Sequence, residues 1–397
     1  NHPDLANSYN NIGTVYNAMG EYSKALESYE KSFEIRKKAL PENHPSLATS
    51  YNNIGNVYDS MGEYSKALEY YEKSLEIEKK ALPENHPDLA NSYNNIGTVY
   101  NAMGEYSKAL EYYGKSFEIR KKNLPPNHPD LANSYNNIGL VYRSMGKYSK
   151  ALEYFEKSFE IRKKTLPENH PDLATSYNNI GYVYRSMGEY SKALEYYGKS
   201  LEIMKKALHE NHPDLATSYN NIGMVYKSMG EYSKALEYHG KSLEIMKKAL
   251  HENHPSLASS YNNIGMVYKS MGEYSRALEY YGKSLEIRKK ALPANHPSLA
   301  TSYNNIGSVY DSMGEYSKAL EYFEKSLEVK KKALYENHPS LATSYNNIGW
   351  VYRNRTDYKK ALDYFHRALD IWQRSLRLNH PNMQSVQECI DFVKKKL

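Results

Sequence analysis

Nine asparagines, Asn11, Asn53, Asn95, Asn137, Asn179, Asn221, Asn263, Asn305 and Asn347, recur at a fixed interval of 42 residues, each with another asparagine just before it. A carboxamide presents an acceptor and a donor side by side, the pair that grips a peptide group of an extended chain. Asparagine is a mediocre helix former, so two adjacent ones in a helical stretch are an odd default for a surface that only needed solubility. Other equivalent positions vary. Leu140, Tyr182, Met224 and Met266 stand at the Thr14 position while Arg143, Arg185, Lys227 and Lys269 stand at the Asn17 position, and Trp350 with Arg353 repeat the combination. Soft or aromatic side chains beside cations suit an acidic segment with apolar anchors. The competing readings are that the asparagines only hydrogen-bond neighbouring helices or water, and that the varying positions record drift among near-identical copies.

Covalent or metal chemistry finds little support. Ten of the fourteen histidines belong to a recurring His-Pro dipeptide and stand one interval apart, too far to share a metal; the rest are His209, His239, His251 and His366. There is no Gly-rich phosphate loop, no Cys-x-x-Cys and no His-Glu-x-x-His. The sequence therefore predicts neither an enzyme nor a cofactor. A net charge of +6, from 52 basic and 46 acidic residues, is too mild over this length to argue for nucleic acid. No apolar run is long enough to span a membrane. One cysteine, Cys389, excludes a disulfide framework and fits a reducing compartment, so a cytoplasmic location is expected.

The elements that carry these residues follow from the same interval. His-Pro returns from His2-Pro3 to His380-Pro381, so one supersecondary unit is copied nine times and begun a tenth, and each copy buries its apolar face against its neighbours. Proline suits the first helical position. Leu5, Tyr9, Ile12, Tyr16 and Met19 then follow at spacings of three and four, predicting an amphipathic helix A that stops at Gly20. After the turn Gly20-Glu21-Tyr22, the run Ala25, Leu26, Tyr29, Phe33 and Leu40 predicts helix B, ended by Pro41. Ala6, Gly13, Ala25 and Ser32 mark close approach of the two helices. Asn7, Asn11, Thr14 and Ala18 fall opposite the helix A stripe, facing solvent. On helix B, Glu27 before Lys31 and Glu34 before Lys38 have the favourable order for ion pairs on a solvated face. Gly114, Gly198, Gly240 and Gly282 in mid-helix B each weaken it by about 1 kcal/mol relative to alanine.

The order Tyr9, Ile12, Gly13, Tyr16, Gly20, Tyr22, Ala25, Tyr29, Ser32 resembles the tetratricopeptide repeat (TPR), lengthened here from its usual period of 34 by about two helical turns. The His-Pro-x-Leu-Ala start and the Asn-Asn pair are similar to the 42-residue class of kinesin light chains and nephrocystin-3, without a kinesin light chain's coiled coil. The resemblance implies an all-α, right-handed superhelical solenoid of antiparallel helix pairs. It also implies that the solvent face of helix A lines a concave groove in which the asparagine ladder contacts a peptide.

Nine TPR units over 1–379 and a capping helix over 380–397 are expected. In the last partial unit Asp391 and Lys394 replace Gly13 and Tyr16, giving a polar outer face, whereas no such change marks the first unit. Any self-association is therefore expected through the first repeat. The functional expectation is a scaffold that binds an extended protein or peptide segment. The alternatives are a spacer without a dedicated ligand, and the sensor part of an enzyme whose catalytic domain precedes Asn1, since the chain opens at a repeat boundary as a fragment would.

Overall fold

The computed structural model describes residues 3–375 and 381–397; the His2-Pro3 start and the His380 boundary lie partly outside them. Every element among the described residues is a helix, nineteen in all. They form two compact units, Asn1–Ala207 with α1–α10 and Leu208–Leu397 with α11–α19. The first repeat sets the pattern. Helix A, α1, runs Pro3–Ala18 and helix B, α2, runs Tyr22–Ala39, separated by the short turn that the glycine requires. In the second repeat, α3 (Pro45–Ser60) and α4 (Tyr64–Ala81) repeat them.

Each boundary has a chemical cause. Gly62 takes φ +75, which lets the Glu63 N–H return to the Tyr58 carbonyl at 2.9 Å and close the end of α3. The start of helix A is capped by histidine. The Nδ1 of His44 accepts the Ser46 N–H at 3.1 Å, and His86, His128, His170, His212, His254, His296 and His338 do the same. An Nδ1 that accepts is a neutral ring protonated on Nε2. The role of His-Pro is thus larger than steering the backbone ahead of proline.

Within a pair, the small residues allow contact. A Cβ placed on Gly55 would lie 2.8 Å from the Tyr71 ring, and Ser74 Oγ donates to the Ala48 carbonyl at 2.8 Å across the two helices. Between repeats, Leu47, Ile54 and Val57 are buried, the last completely, and each such side chain contributes roughly 1.5–3 kcal/mol of burial. Two corrections to the predicted stripe follow. The valine position, absent from it, is at the centre of the core, whereas the methionine position is exposed, as at Met61, because it falls on the cap beyond the helix end. On α1 the corresponding side chains Leu5, Ile12 and Val15 are exposed. In the second unit, α19 (Pro381–Lys394) packs on α18 (Tyr358–Ser375) through buried Val386, Cys389, Ile390 and Val393.

On helix B, Lys31 pairs with Glu27 at 2.6 Å and the same pair recurs along both units. The four mid-helix glycines have nothing within 4 Å of a built Cβ. Replacing Gly114 or Gly282 by alanine should therefore stabilise its unit by about 1 kcal/mol, read as a raised midpoint in urea unfolding. A loss would mean that the bare backbone there is used for contact.

Candidate functional site

The second-column asparagines are the inter-repeat clasp. Asn53 Nδ2 donates to Asn10 Oδ1 at 2.8 Å, and Asn95, Asn137 and Asn179 donate to Asn52, Asn94 and Asn136 at 2.8–3.0 Å. In the second unit Asn263, Asn305 and Asn347 donate to Asn220, Asn262 and Asn304 at 2.7–2.9 Å. Each clasp uses one N–H of the second asparagine and the oxygen of the first. The other N–H and the Oδ1 of Asn53, Asn95 and Asn137 make no bond among the described residues, so a donor and an acceptor remain on the helix A face. The clasp donors are half-buried, whereas Asn11 is exposed.

The Thr14 position is tied to the core. Thr14 Oγ1 and Thr98 Oγ1 pair with the hydroxyls of Tyr29 and Tyr113 at 3.1 and 3.0 Å, and Tyr71 donates to Asn56 Oδ1 at 2.6 Å. Over two core residues that have no hydroxyl stands an apolar neighbour: Leu140 packs with Phe155, and the Trp350 ring meets Phe365 edge-on at 6.2 Å, whereas the repeat of Phe323 has Ser308 at this position. Part of the variation at this position therefore follows the aromatic beneath it.

The cations reach across to the next repeat. The Arg143 guanidinium lies 4.8 Å from the Tyr182 ring, and Arg185 lies 5.1 Å from the same ring. Tyr182 is thus held by two guanidiniums, neither of which has a carboxylate partner among the described residues. Both act on the phenol beneath: burial pushes Tyr197 up to about 12, against the pull of Arg185 and Arg143. In the second unit, Lys269 bonds Ser308, and burial lowers its affinity for a proton despite Asp311. Arg353 lies 4.4 Å from Trp350 and 4.2 Å from Phe392. Met224 and Lys227 share α11 (Pro213–Ser228), half-buried, and Met266 packs on the core beside Tyr281. The structure thus brings Leu140, Arg143, Tyr182 and Arg185 to one face of the first unit. Met224, Lys227, Met266, Lys269, Trp350 and Arg353 lie on helices A of the second.

A tetratricopeptide repeat model matches residues 4–80, 69–122, 88–164, 130–206, 172–248, 214–290, 256–332 and 298–374, covering nearly the whole chain. The chain belongs to the tetratricopeptide repeat family. No curated protein matches it. Among solved structures, the apo form of RapI is similar at 21% identity and TM-score 0.56, over 72% of this chain and 98% of that one. A Rap protein complexed with Competence and Sporulation Factor is similar at 15% identity and TM-score 0.53, over 89% and 99%. A Podosopora anserina protein of kinesin light chain type, with nearly identical TPR-like repeats, is 24% identical at TM-score 0.46, over 52% and 99%. TPR arrays generally serve as protein-interaction scaffolds rather than catalysts.

Two inward-facing positions of this TPR array escaped the sequence patterns. Arg36, written into a run of basic residues, turns inward: its Nη1 donates to Ser50 Oγ at 2.9 Å and its Nη2 to Asn7 Oδ1 at 3.1 Å, bridging two helices A. His239 occupies the core place of Tyr29, fully buried over Gly223, with no hydrogen-bond partner for either ring nitrogen among the described residues. The signal for Arg36 was in the sequence: Asn stands at position 7 in the repeats that also carry Arg36, Arg120 and Arg162.

Proposed function

We propose that the array holds an extended segment of a partner protein along its helix A face, and that the segment is acidic with apolar anchors. The observation that carries this is the Arg143, Tyr182 and Arg185 arrangement, two guanidiniums without a carboxylate partner among the described residues, 4.8 and 5.1 Å from one half-buried ring. The remaining donor and acceptor of the asparagine ladder supply peptide contacts beside it. The Rap structure complexed with Competence and Sporulation Factor supports the reading at the level of fold. Each neutral hydrogen bond nets about 0.5–1.5 kcal/mol against an association cost of several kcal/mol, so affinity for a short segment is on the order of micromolar.

The test is a display library of extended peptides selected on the chain. Acidic residues flanking an apolar anchor should be enriched. Reversing Arg143 and Arg185 together to glutamate should weaken the selected peptides about tenfold or more, since charged hydrogen bonds are worth roughly 1.5–3 kcal/mol each. Reversing Lys37 and Lys38 on helix B should leave binding near wild type. Binding should also fall as salt rises past physiological strength, where the Debye length is about 8 Å. Equal losses from the two reversals would mean that only overall charge matters and would remove the helix A face as the specific site.

A further inference from the structure

Position 36 of the repeat sends its side chain between two successive helices A. Arginine fills that place in four repeats. Arg120 and Arg162 each donate to a serine hydroxyl of the next helix A and to the oxygen of Asn91 or Asn133 on their own, all at 3.0 Å, as Arg36 does. Arg288 bonds Ser302 Oγ and the Ser298 carbonyl, and Lys330 makes the same two contacts with Ser344 and Ser340. The second repeat has Glu78 there, on α4. Glu78 is 7% exposed and its carboxylate accepts from Ser92 Oγ at 2.6 Å, the serine an arginine would bond; Ser74 Oγ lies 3.5 Å away, with its proton given to the Ala48 carbonyl. Burial pushes its pKa up.

Both residues that fill this space elsewhere are shorter here. Glutamate replaces arginine, and Thr49 replaces the asparagine that receives the guanidinium in the first, third and fourth repeats. A cavity of about 140 Å³ is left between α3, α4 and α5 (Pro87–Ala102), bounded by Thr49, Asn52, Glu78, Asp88 and Asn91. That is well above the roughly 10–15 Å³ a single water requires. Pro45 and Leu82 also line it, and its charged acceptors are the Glu78 and Asp88 carboxylates, since the oxygens of Asn52 and Asn91 already accept from Asn95 and Arg120; among the described residues no lysine or arginine pairs with Glu78. A buried carboxylate held by one hydroxyl gains most from a cation that brings its own donors.

We propose that this cavity binds a guanidinium group, the head of an arginine side chain, which takes the place that the array's own arginines occupy in the sister repeats. Thr49 and Asn52, which line it, belong to the helix A face. The source of the arginine, a segment lying on that face, rests on the function proposed above, whereas the chemistry of the cavity does not.

The test uses the full chain and two probes, methylguanidinium chloride and N-acetyl-arginine amide, each titrated by calorimetry at constant ionic strength. Both should bind saturably, and Glu78→Gln should weaken both about tenfold or more, the loss expected when a charge-assisted bond becomes neutral. Glu78→Arg should abolish both, because it installs the side chain of four sister repeats and is expected to fold as they do. Absence of saturable binding, or undiminished binding to Glu78→Arg, overturns the site. Binding of methylguanidinium without N-acetyl-arginine amide overturns the assignment to a side chain. Neither probe is a peptide, so failure here leaves the Arg143 and Arg185 test standing, and failure of that test leaves this one.

Discussion

Acidification from pH 7 to pH 4 should cost the second unit about 3 kcal/mol more in the wild-type chain than in a His239→Phe variant. His239 is fully buried on α12 (Tyr232–Ala249), and burial, with a lesser push from Lys227 on α11, lowers its pKa from 6.5 to about 4. The native state thus holds fewer protons than the unfolded chain between those values. Stability is fully present above pH 6.5 and is lost as pH falls toward 4, at 1.36 kcal/mol for each unit of difference, hence the estimate of about 3 kcal/mol. The remaining ionisable groups are common to both chains and cancel in the comparison. Phenylalanine has a precedent at the equivalent place, Phe155 over Gly139. It would also remove two ring nitrogens that have no partner, so stability at pH 7 should rise as well. Urea unfolding of both chains at pH 7, 5.5 and 4 decides it. Parallel losses in the two chains would mean that His239 finds a proton acceptor or a water in the core.

The helix pair was legible because its signals are local. Pro45, Gly62, Gly55 and Ser74 each act within a pair, and a helical wheel over a few dozen residues is enough to place them. What lay outside reach depends on how repeats stack. Asn53 meets Asn10 across 43 residues, and no single wheel shows that one asparagine of the pair serves the other. Val57 was missed for a related reason: helix A is covered on one side by its own helix B and on the other by the preceding repeat, so its apolar arc is wider than one stripe. Arg36 sits among lysines that do face solvent, and only the partner at Asn7 distinguishes it. His239 was only named among the four histidines outside the His-Pro dipeptides, when its position in the repeat already assigned it to the place of Tyr29.

The direction of the asparagine clasp has a consequence for any use of that face in binding. Asn179 donates through Nδ2 and Asn136 accepts through Oδ1 at 2.8 Å. Asn136→Asp keeps an acceptor in place, so the clasp survives with a charged partner, and stability should stay within about 0.5 kcal/mol. Asn179→Asp removes the donor and sets two acceptors against each other, leaving Asn136 Oδ1 unsatisfied, which should cost about 1–3 kcal/mol. Urea midpoints of the two single variants test this: the reverse order would show that the amides are turned the other way, and equal losses would overturn a directional clasp. The same pair separates structure from recognition. Asn136→Asp leaves the second-column carboxamide intact, so a selected peptide should lose affinity through Asn179→Asp beyond anything the stability change explains. Should both variants bind alike, the asparagines would serve only to lock one repeat to the next, and recognition would rest on Arg143, Tyr182 and Arg185 alone.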